Sequence, residues 1–397
     1  MAPTTDVVVV GGGYAGVVAA NRLTTGTDLR VTLVNPRPAF VERIRLHQRT
    51  VGTHDAVADF TEVLAPDVRL VVDAVTRIDA GSRTLELAGG GAVAYDYLVY
   101  AVGSHSAPPT VPGVEDHAYP LSTLEQAEVL QEALDAVAES APVVVVGGGA
   151  TGIETASELA EFGHAVTLVT GEVSTYLHES TRREVLRQLD RLGVTVLEGT
   201  VVTAVAPHTV HLADGREVPS AVTVWTAGFG VPDLAARSGL STDPVGRLLT
   251  DETLTSVDDE RIVAAGDAAA PSGVPYRMCC AAALPLGAHA AATVLRRAAG
   301  EEPQAFSVPV PGQCLSLGRR AGVLQLARRD DTAIAVHVGG RVGAWFKEAV
   351  TAGNRASLSL VARRPGLLST LTAVQDPRRA RRLADRTPAA SAGVRAD

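Results

Sequence analysis

Val7-Val8-Val9-Val10-Gly11-Gly12-Gly13-Tyr14-Ala15-Gly16 runs four valines into a glycine turn, and Val143-Val144-Val145-Val146-Gly147-Gly148-Gly149-Ala150-Thr151-Gly152 repeats the arrangement. Small-residue helical stretches follow, Tyr14 to Leu23 in the first and Ile153 to Phe162 in the second. A further apolar run then completes each unit, Leu29 to Val34 and Ala165 to Val169. Continuous rather than alternating apolar strands belong to parallel sheets buried on both faces. Each unit is therefore a β-turn-α-β frame carrying G-x-G-x-x-G at the strand-to-helix turn. The first glycine permits the tight turn, the second lets backbone approach a diphosphate, and the third lets helix pack on strand. Helix-start N–H groups then hold the negative charge. One such match is weak evidence; two, each in its full frame, predict two dinucleotide cradles.

Working outward, the fold class is α/β. Two Rossmann-like dinucleotide-binding domains are expected, with a small α+β domain at the C-terminal end. Strand-like Tyr95 to Gly103 closes the first unit, and Pro108, Pro109 and Pro112 mark a break. Thr123 to Glu139 reads as a helix, Val194 to Val205 and His208 to Leu212 as strands, and Val222 to Trp225 as a strand ending at Ala227-Gly228. Arg261 to Ala265 is another strand, ending at Gly266-Asp267. After Glu301 the character changes, with strands at Val323 to Leu326 and Ala333 to Val338. The expected domains are 1–111 with 245–300, then 112–244, then 301–387, with a disordered tail at 388–397.

With 46% hydrophobic and 20% charged residues a large core is available, which excludes global disorder. A net charge of −9 argues against nucleic acid as a partner. The three cysteines, Cys279, Cys280 and Cys314, form neither C-x-x-C nor a zinc-spaced cluster, so no metal is expected and a reducing, cytoplasmic setting fits. The longest apolar stretch, Cys279 to Leu295, is broken by Pro285 and His289 and reads as a buried helix rather than a membrane span. Where the fingerprint expects an acid after the second strand, this chain has Asn35 in one unit and Thr170-Gly171 in the other, with Glu172 beside them. Asn35 can hydrogen-bond a ribose, and the choice between NADH and NADPH stays open.

The two cradles, Tyr95 to Gly103, Val224 to Gly228 and Ala264-Ala265-Gly266-Asp267, in that order, resemble the pyridine-nucleotide–disulfide oxidoreductase superfamily over about residues 6–300. The resemblance implies FAD in the first cradle, served by Gly11, Gly13, Tyr14, Ala15, Gly16, Asn35, Arg37, Arg43, Val75, Ala101, Gly103, Gly266, Asp267 and Ala283. It implies NADH or NADPH in the second, served by Gly147, Gly149, Thr151, Gly152, Thr170, Ala227 and Gly228. Members that reduce disulfides carry a cysteine pair after the first unit, but Phe40 to Val51 has none, and Cys314 lies far in sequence from Cys279 and Cys280. A redox dithiol is therefore not expected.

The C-terminal third looks most like type II NADH:quinone dehydrogenases and apoptosis-inducing-factor-like coenzyme Q reductases. Gly340 to Lys347 resembles the segment that brings a lysine toward the flavin, and Lys347 is the chain's single lysine. The implied reaction is hydride transfer from nicotinamide to flavin N5, then electron delivery to a quinone-type small-molecule acceptor. Lys347 would stabilise reduced flavin or protonate the acceptor, Glu154 would orient the nicotinamide and His47 would relay protons. Other readings are a ferredoxin or rubredoxin reductase, a specialised flavin oxidoreductase of small-molecule metabolism, and a low-turnover nucleotide-binding redox sensor. The arginines Arg363, Arg364, Arg378, Arg379, Arg381 and Arg382 read as a solvated helical face, so membrane contact is at most peripheral. The chain is expected to be a monomer or homodimer.

Overall fold

Residues 4–310, 312–370 and 376–384 are described by the computed structural model. The expected tail at 388–397 lies outside them. Four-valine runs become central strands for the anticipated reason: they are apolar on both faces. The first sheet orders Ile262–Ala264, Tyr97–Tyr100, Thr5–Val10, Leu29–Asn35 and Arg69–Val72, all parallel. The second orders Ala118–Pro120, Val222–Trp225, Pro142–Val146, Ala165–Thr170 and Thr195–Glu198, again parallel. Val7 pairs with Val31 and Val143 with Val166. Val7, Val9, Leu33, Val143 and Val145 have no exposed surface, each side chain contributing roughly 1.5–3 kcal/mol of burial.

Tyr14–Leu23 and Ala150–Glu161 are the two cradle helices. The second begins at Ala150, three residues before the expected start, because Gly149 is its extended N-terminal cap. The apolar stretch is the helix Cys280–Ala298, and it packs against the first cradle helix through Leu286, Ala290 and Val294. Arg22 Nη1 donates to Ala288 O at 2.9 Å, tying the two helices together. Among the described residues no helix is long and apolar enough to cross a membrane.

The single strand expected over 194–205 is in fact two, Thr195–Glu198 in the parallel sheet and Val202–Ala206 in an antiparallel one. Gly199, at φ +79°, turns the chain between them. The C-terminal unit holds a strand that sequence reading passed over, Gly312–Ser316, because Gly-Gln-Cys shows no alternation. It pairs antiparallel with Gly322–Ala327, which pairs with Ala333–Val338. The helix Gly340–Arg363 lies across this sheet. A Cβ at Gly343 would sit 2.2 Å from Gly322 O, so the missing side chain brings the helix onto the sheet one turn before Lys347.

The arginine-rich end departs from expectation at Arg379 and Arg382. Arg379 is buried, paired with Glu252 at 2.5 Å, with its guanidinium 4.3 Å from the Tyr276 ring centroid. Arg382 meets Asp376 at 2.8 Å. Arg379 and Arg382 thus fasten the short helix Pro377–Ala384 to the body, while Arg363, Arg364, Arg378 and Arg381 are exposed as expected of a solvated face.

Candidate functional site

One cavity of about 1210 Å³ is shared by both cradles. Gly11, Gly12, Gly13, Tyr14 and Ala15 line it from the first; Gly148, Gly149, Ala150 and Thr151 line it from the second. Neither cradle helix has a side-chain cap or an acid in its first turn. A Cβ at Gly13 or Gly149 would meet nothing within 4 Å. Two uncapped helix N-termini thus open onto one space, each suited to an anion.

Gly16 and Gly152 do not line the cavity. A Cβ on either would fall 1.8 Å from the carbonyl oxygen of Gly11 or Gly147, so their role is to let helix and turn approach. Asn35 lines the cavity, yet its amide is partly committed: Oδ1 accepts from Gly12 N–H at 2.8 Å and Nδ2 donates to Arg37 O at 2.8 Å. Its observed work is to hold the glycine turn, which leaves one N–H and one lone pair of the amide toward the cavity. Thr170, Gly147, Ala227 and Gly228 are outside the lining, and Thr170 Oγ1 donates to Glu172 O at 2.8 Å. Glu172 does line the cavity.

Arg37, Arg43, Val75, Ala101, Gly103, Gly266, Asp267 and Ala283 are all in the wall. Arg37 forms an ion pair with Glu125. Ser104 Oγ donates to Asp267 Oδ2 at 2.6 Å, and Arg43 Nη1 is 3.2 Å from Ser104 Oγ and 3.8 Å from Asp267. Tyr14, in edge contact with Phe40, keeps a buried hydroxyl that has no hydrogen-bond partner among the described residues. Burial, with Cys280 and Glu42 nearby, pushes its pKa well above the ordinary phenol value.

Lys347, Glu154 and His47 come from three distant segments and meet in the same wall. Lys347 Nζ is 2.8 Å from Glu154 Oε1, which also accepts from Ser316 N–H at 2.9 Å. His47 Nδ1 lies 3.9 Å from Glu154 Oε2, and its Nε2 is 3.3 Å from Ser316 Oγ. Burial alone would push Glu154 up, but the Lys347 ammonium holds its carboxyl below the usual range. Burial would lower Lys347, but the Glu154 charge raises it, so the pair stays ionised. His47 is lowered to about 4 by burial and by the positive charge of Lys347, Arg319 and Arg45, and is neutral near pH 7. Lysine 347 is therefore no solvated surface cation.

All three cysteines line this cavity as free thiols, Cys314 included despite its sequence distance. Burial pushes Cys279 up to about 11 and raises Cys280 and Cys314 as well, so they stand as protonated thiols. Among the described residues no group of His, Cys, Asp and Glu is placed to hold a metal ion.

The sequence profile of the pyridine nucleotide-disulphide oxidoreductases matches residues 5–292. The chain belongs to this family. An NADH dehydrogenase-like protein of Mycobacterium tuberculosis is 32% identical over 351 residues, 80% of this chain and 87% of that protein. A type II NADH:quinone oxidoreductase of Haemophilus influenzae is 28% identical over 326 residues, 67% of this chain and 73% of the relative. In fold, the sulfide:quinone oxidoreductase of Aquifex aeolicus superposes with a TM-score of 0.78 over 90% of this chain and 92% of that one, at 19% identity.

As a pyridine nucleotide-disulphide oxidoreductase, the chain is an oxidoreductase whose site residues were partly hidden from sequence reading. Ser104 stood next to Gly103 and could have been found from that neighbour. Ser316 had no local signal: only the fold carries it across from the C-terminal sheet to Glu154.

Proposed function

We propose that this chain is an FAD-dependent NAD(P)H oxidoreductase that passes electrons to a quinone-type acceptor. The observation that carries the reading is the opening of two uncapped cradles onto one cavity walled by the Lys347–Glu154 pair. Bound FAD would supply two-electron chemistry between a nicotinamide and the acceptor. Gly13, Tyr14 and Ala15 would take its diphosphate, and the buried Tyr14 hydroxyl is a donor still to be matched. Arg43, Ser104 and Asp267 would serve the polar stretch between diphosphate and ring.

Gly149, Ala150 and Thr151 would take the diphosphate of the nicotinamide coenzyme. Glu172 is exposed at that rim and would repel a 2′-phosphate, favouring NADH. Lys347, held charged by Glu154, would offset negative charge developing at the ring or give its proton to the reduced acceptor. Val350 lines the cavity while 40% exposed, and one turn earlier on the same helix Phe346 is 36% exposed and in edge contact with Trp345, which is 65% exposed. This apolar strip beside the opening suits a lipophilic acceptor and peripheral contact with a membrane surface.

The test is a spectrum followed by turnover. Purified protein reconstituted with FAD is expected to turn yellow, bleach with NADH and reoxidise with menadione. Lys347→Met is expected to keep the yellow colour and the bleaching while menadione turnover falls about 100-fold. Undiminished menadione turnover in that variant rejects the lysine's role, and failure of the wild type to take up FAD rejects the whole reading.

A further inference from the structure

The second cradle helix carries Glu154, Glu158 and Glu161, whose spacing sets all three on one helical face. Glu154 is in the cavity wall, and Glu161 accepts from the Arg319 N–H in a shallower setting. Glu158, between them, is completely buried. Its Oε1 is 3.0 Å from Thr53 Oγ1. Arg319 Nη2 forms an ion pair with Oε2 at 2.8 Å, and among the described residues Oε2 has no well-aligned hydrogen-bond donor. The Arg319 side chain is 33% exposed, so the ion-pair partner of Glu158 reaches solvent.

A buried carboxyl is costly where an apolar side chain would pack as well. Nothing in the reaction outlined above uses Glu158 directly. That reaction has a need it could meet. Reducing a quinone with NADH moves two electrons and one hydrogen nucleus from the nicotinamide, while the quinone oxygens gain two protons. One proton per turnover must come from solvent. If Lys347 gives up an N–H proton to an acceptor oxygen, forming O–H, its amine must be reprotonated inside a buried site.

We propose that Glu158, gated by Arg319, is the outer station of a proton path that resupplies Lys347 through Glu154. The proposal rests on the quinone-reductase reading. The proton leaves the Glu158 carboxyl and reaches Glu154, whose Cβ lies roughly 6 Å away by helix geometry, a span one bridging water covers. Glu154 hands it to Lys347 Nζ, 2.8 Å away. Glu158 is recharged from solvent past Arg319. Ser316, 3.4 Å from Glu154 Oε1 and 3.3 Å from His47 Nε2, keeps neutral His47 in place beside the path. Glu158 acts through Glu154 and so is a positioning and relay residue.

The charged and titratable groups around Glu158 are Arg319 from the turn after Gly312–Ser316 and Glu161 on its own helix. Burial raises its carboxyl above the usual range against the pull of Arg319, which favours a proton-holding station. In the folded chain this proton is bound more tightly than in the unfolded one. Its stabilisation is therefore complete at low pH and is lost as pH rises through the folded titration.

The experiment uses the full chain loaded with FAD, with menadione as acceptor. Glu158→Gln is expected to bleach with NADH within about twofold of wild type, while menadione turnover at pH 8 falls roughly tenfold and its solvent deuterium isotope effect grows. Glu158→Asp restores part of the turnover. Arg319→Gln, at a solvent-accessible position, is expected to move the alkaline limb of the turnover profile up by about one pH unit. Without FAD, wild-type melting temperature falls as pH rises through the Glu158 titration, and Glu158→Gln removes that component. A Glu158→Gln variant with the wild-type turnover profile and isotope effect overturns the path alone. Wild type that never reduces menadione overturns the path together with the reading on which it rests.

Discussion

The two cradles share a backbone and differ at their rims. Gly11 and Gly147 stand at φ +104° and +117°, and each is met by a second glycine whose Cβ would fall 1.8 Å from its carbonyl. The first cradle is more heavily packed around its turn. Its helix lies under Cys280–Ala298, Asn35 locks Gly12, and Tyr14 packs edge-on against Phe40. The second is open at its edge, where Glu172, Thr175 and Tyr176 are exposed. One motif thus makes two kinds of site, a closely packed one suited to a resident cofactor and one with an exposed rim suited to a coenzyme that must leave each cycle.

The largest expected effect breaks the pair apart. Gly16→Val and Gly152→Val both force a side chain into backbone, an overpacking of about 3 kcal/mol or more at the turn. Gly16→Val is expected to give colourless protein whose FAD affinity has dropped more than about 100-fold. Gly152→Val is expected to remain yellow but resist bleaching by NADH. Equal loss of colour in both, read from the absorption spectrum, would mean the sites are not divided as described.

A middle-sized effect concerns the open rim. Glu172→Gln is expected to raise the NADPH-to-NADH ratio of kcat/KM roughly tenfold by removing like-charge repulsion. An unchanged ratio would detach Glu172 from coenzyme choice. The smallest effect concerns the wall between the cradles. His47 titrates at about 4 in the folded chain against 6.5 for the free side chain. The unfolded chain therefore takes up a proton first as pH falls, and stability present above pH 6.5 is lost toward pH 4. The loss is at most roughly 3 kcal/mol. His47→Asn is expected to flatten that part of a melting-temperature profile; a profile identical to wild type would show that His47 titrates normally.

The parallel sheets were legible because four consecutive valines have few other ways to bury both faces. The glycine turns were legible because only glycine tolerates those backbone approaches. Legibility stopped where residues meet across the fold. Asn35's place in the fingerprint is visible in the sequence, while its bonds to Gly12 and Arg37 are not. Arg379 looked solvated like its neighbours, since charge is visible in a sequence while its partner Glu252 is not. Cys314 looked remote from Cys280 until the antiparallel strand Gly312–Ser316 carried it to the same cavity.

Composition and local pattern by themselves determined two α/β cradles, their order along the chain, and the conspicuousness of a lone lysine. Tertiary structure alone decided that Lys347, Glu154, His47 and Ser316 share one wall and that Glu158 is buried behind it. The reason is physical. Strand and turn preferences arise from atoms a few bonds apart, whereas a charge in a low-dielectric interior is set by whichever distant segments fold against it.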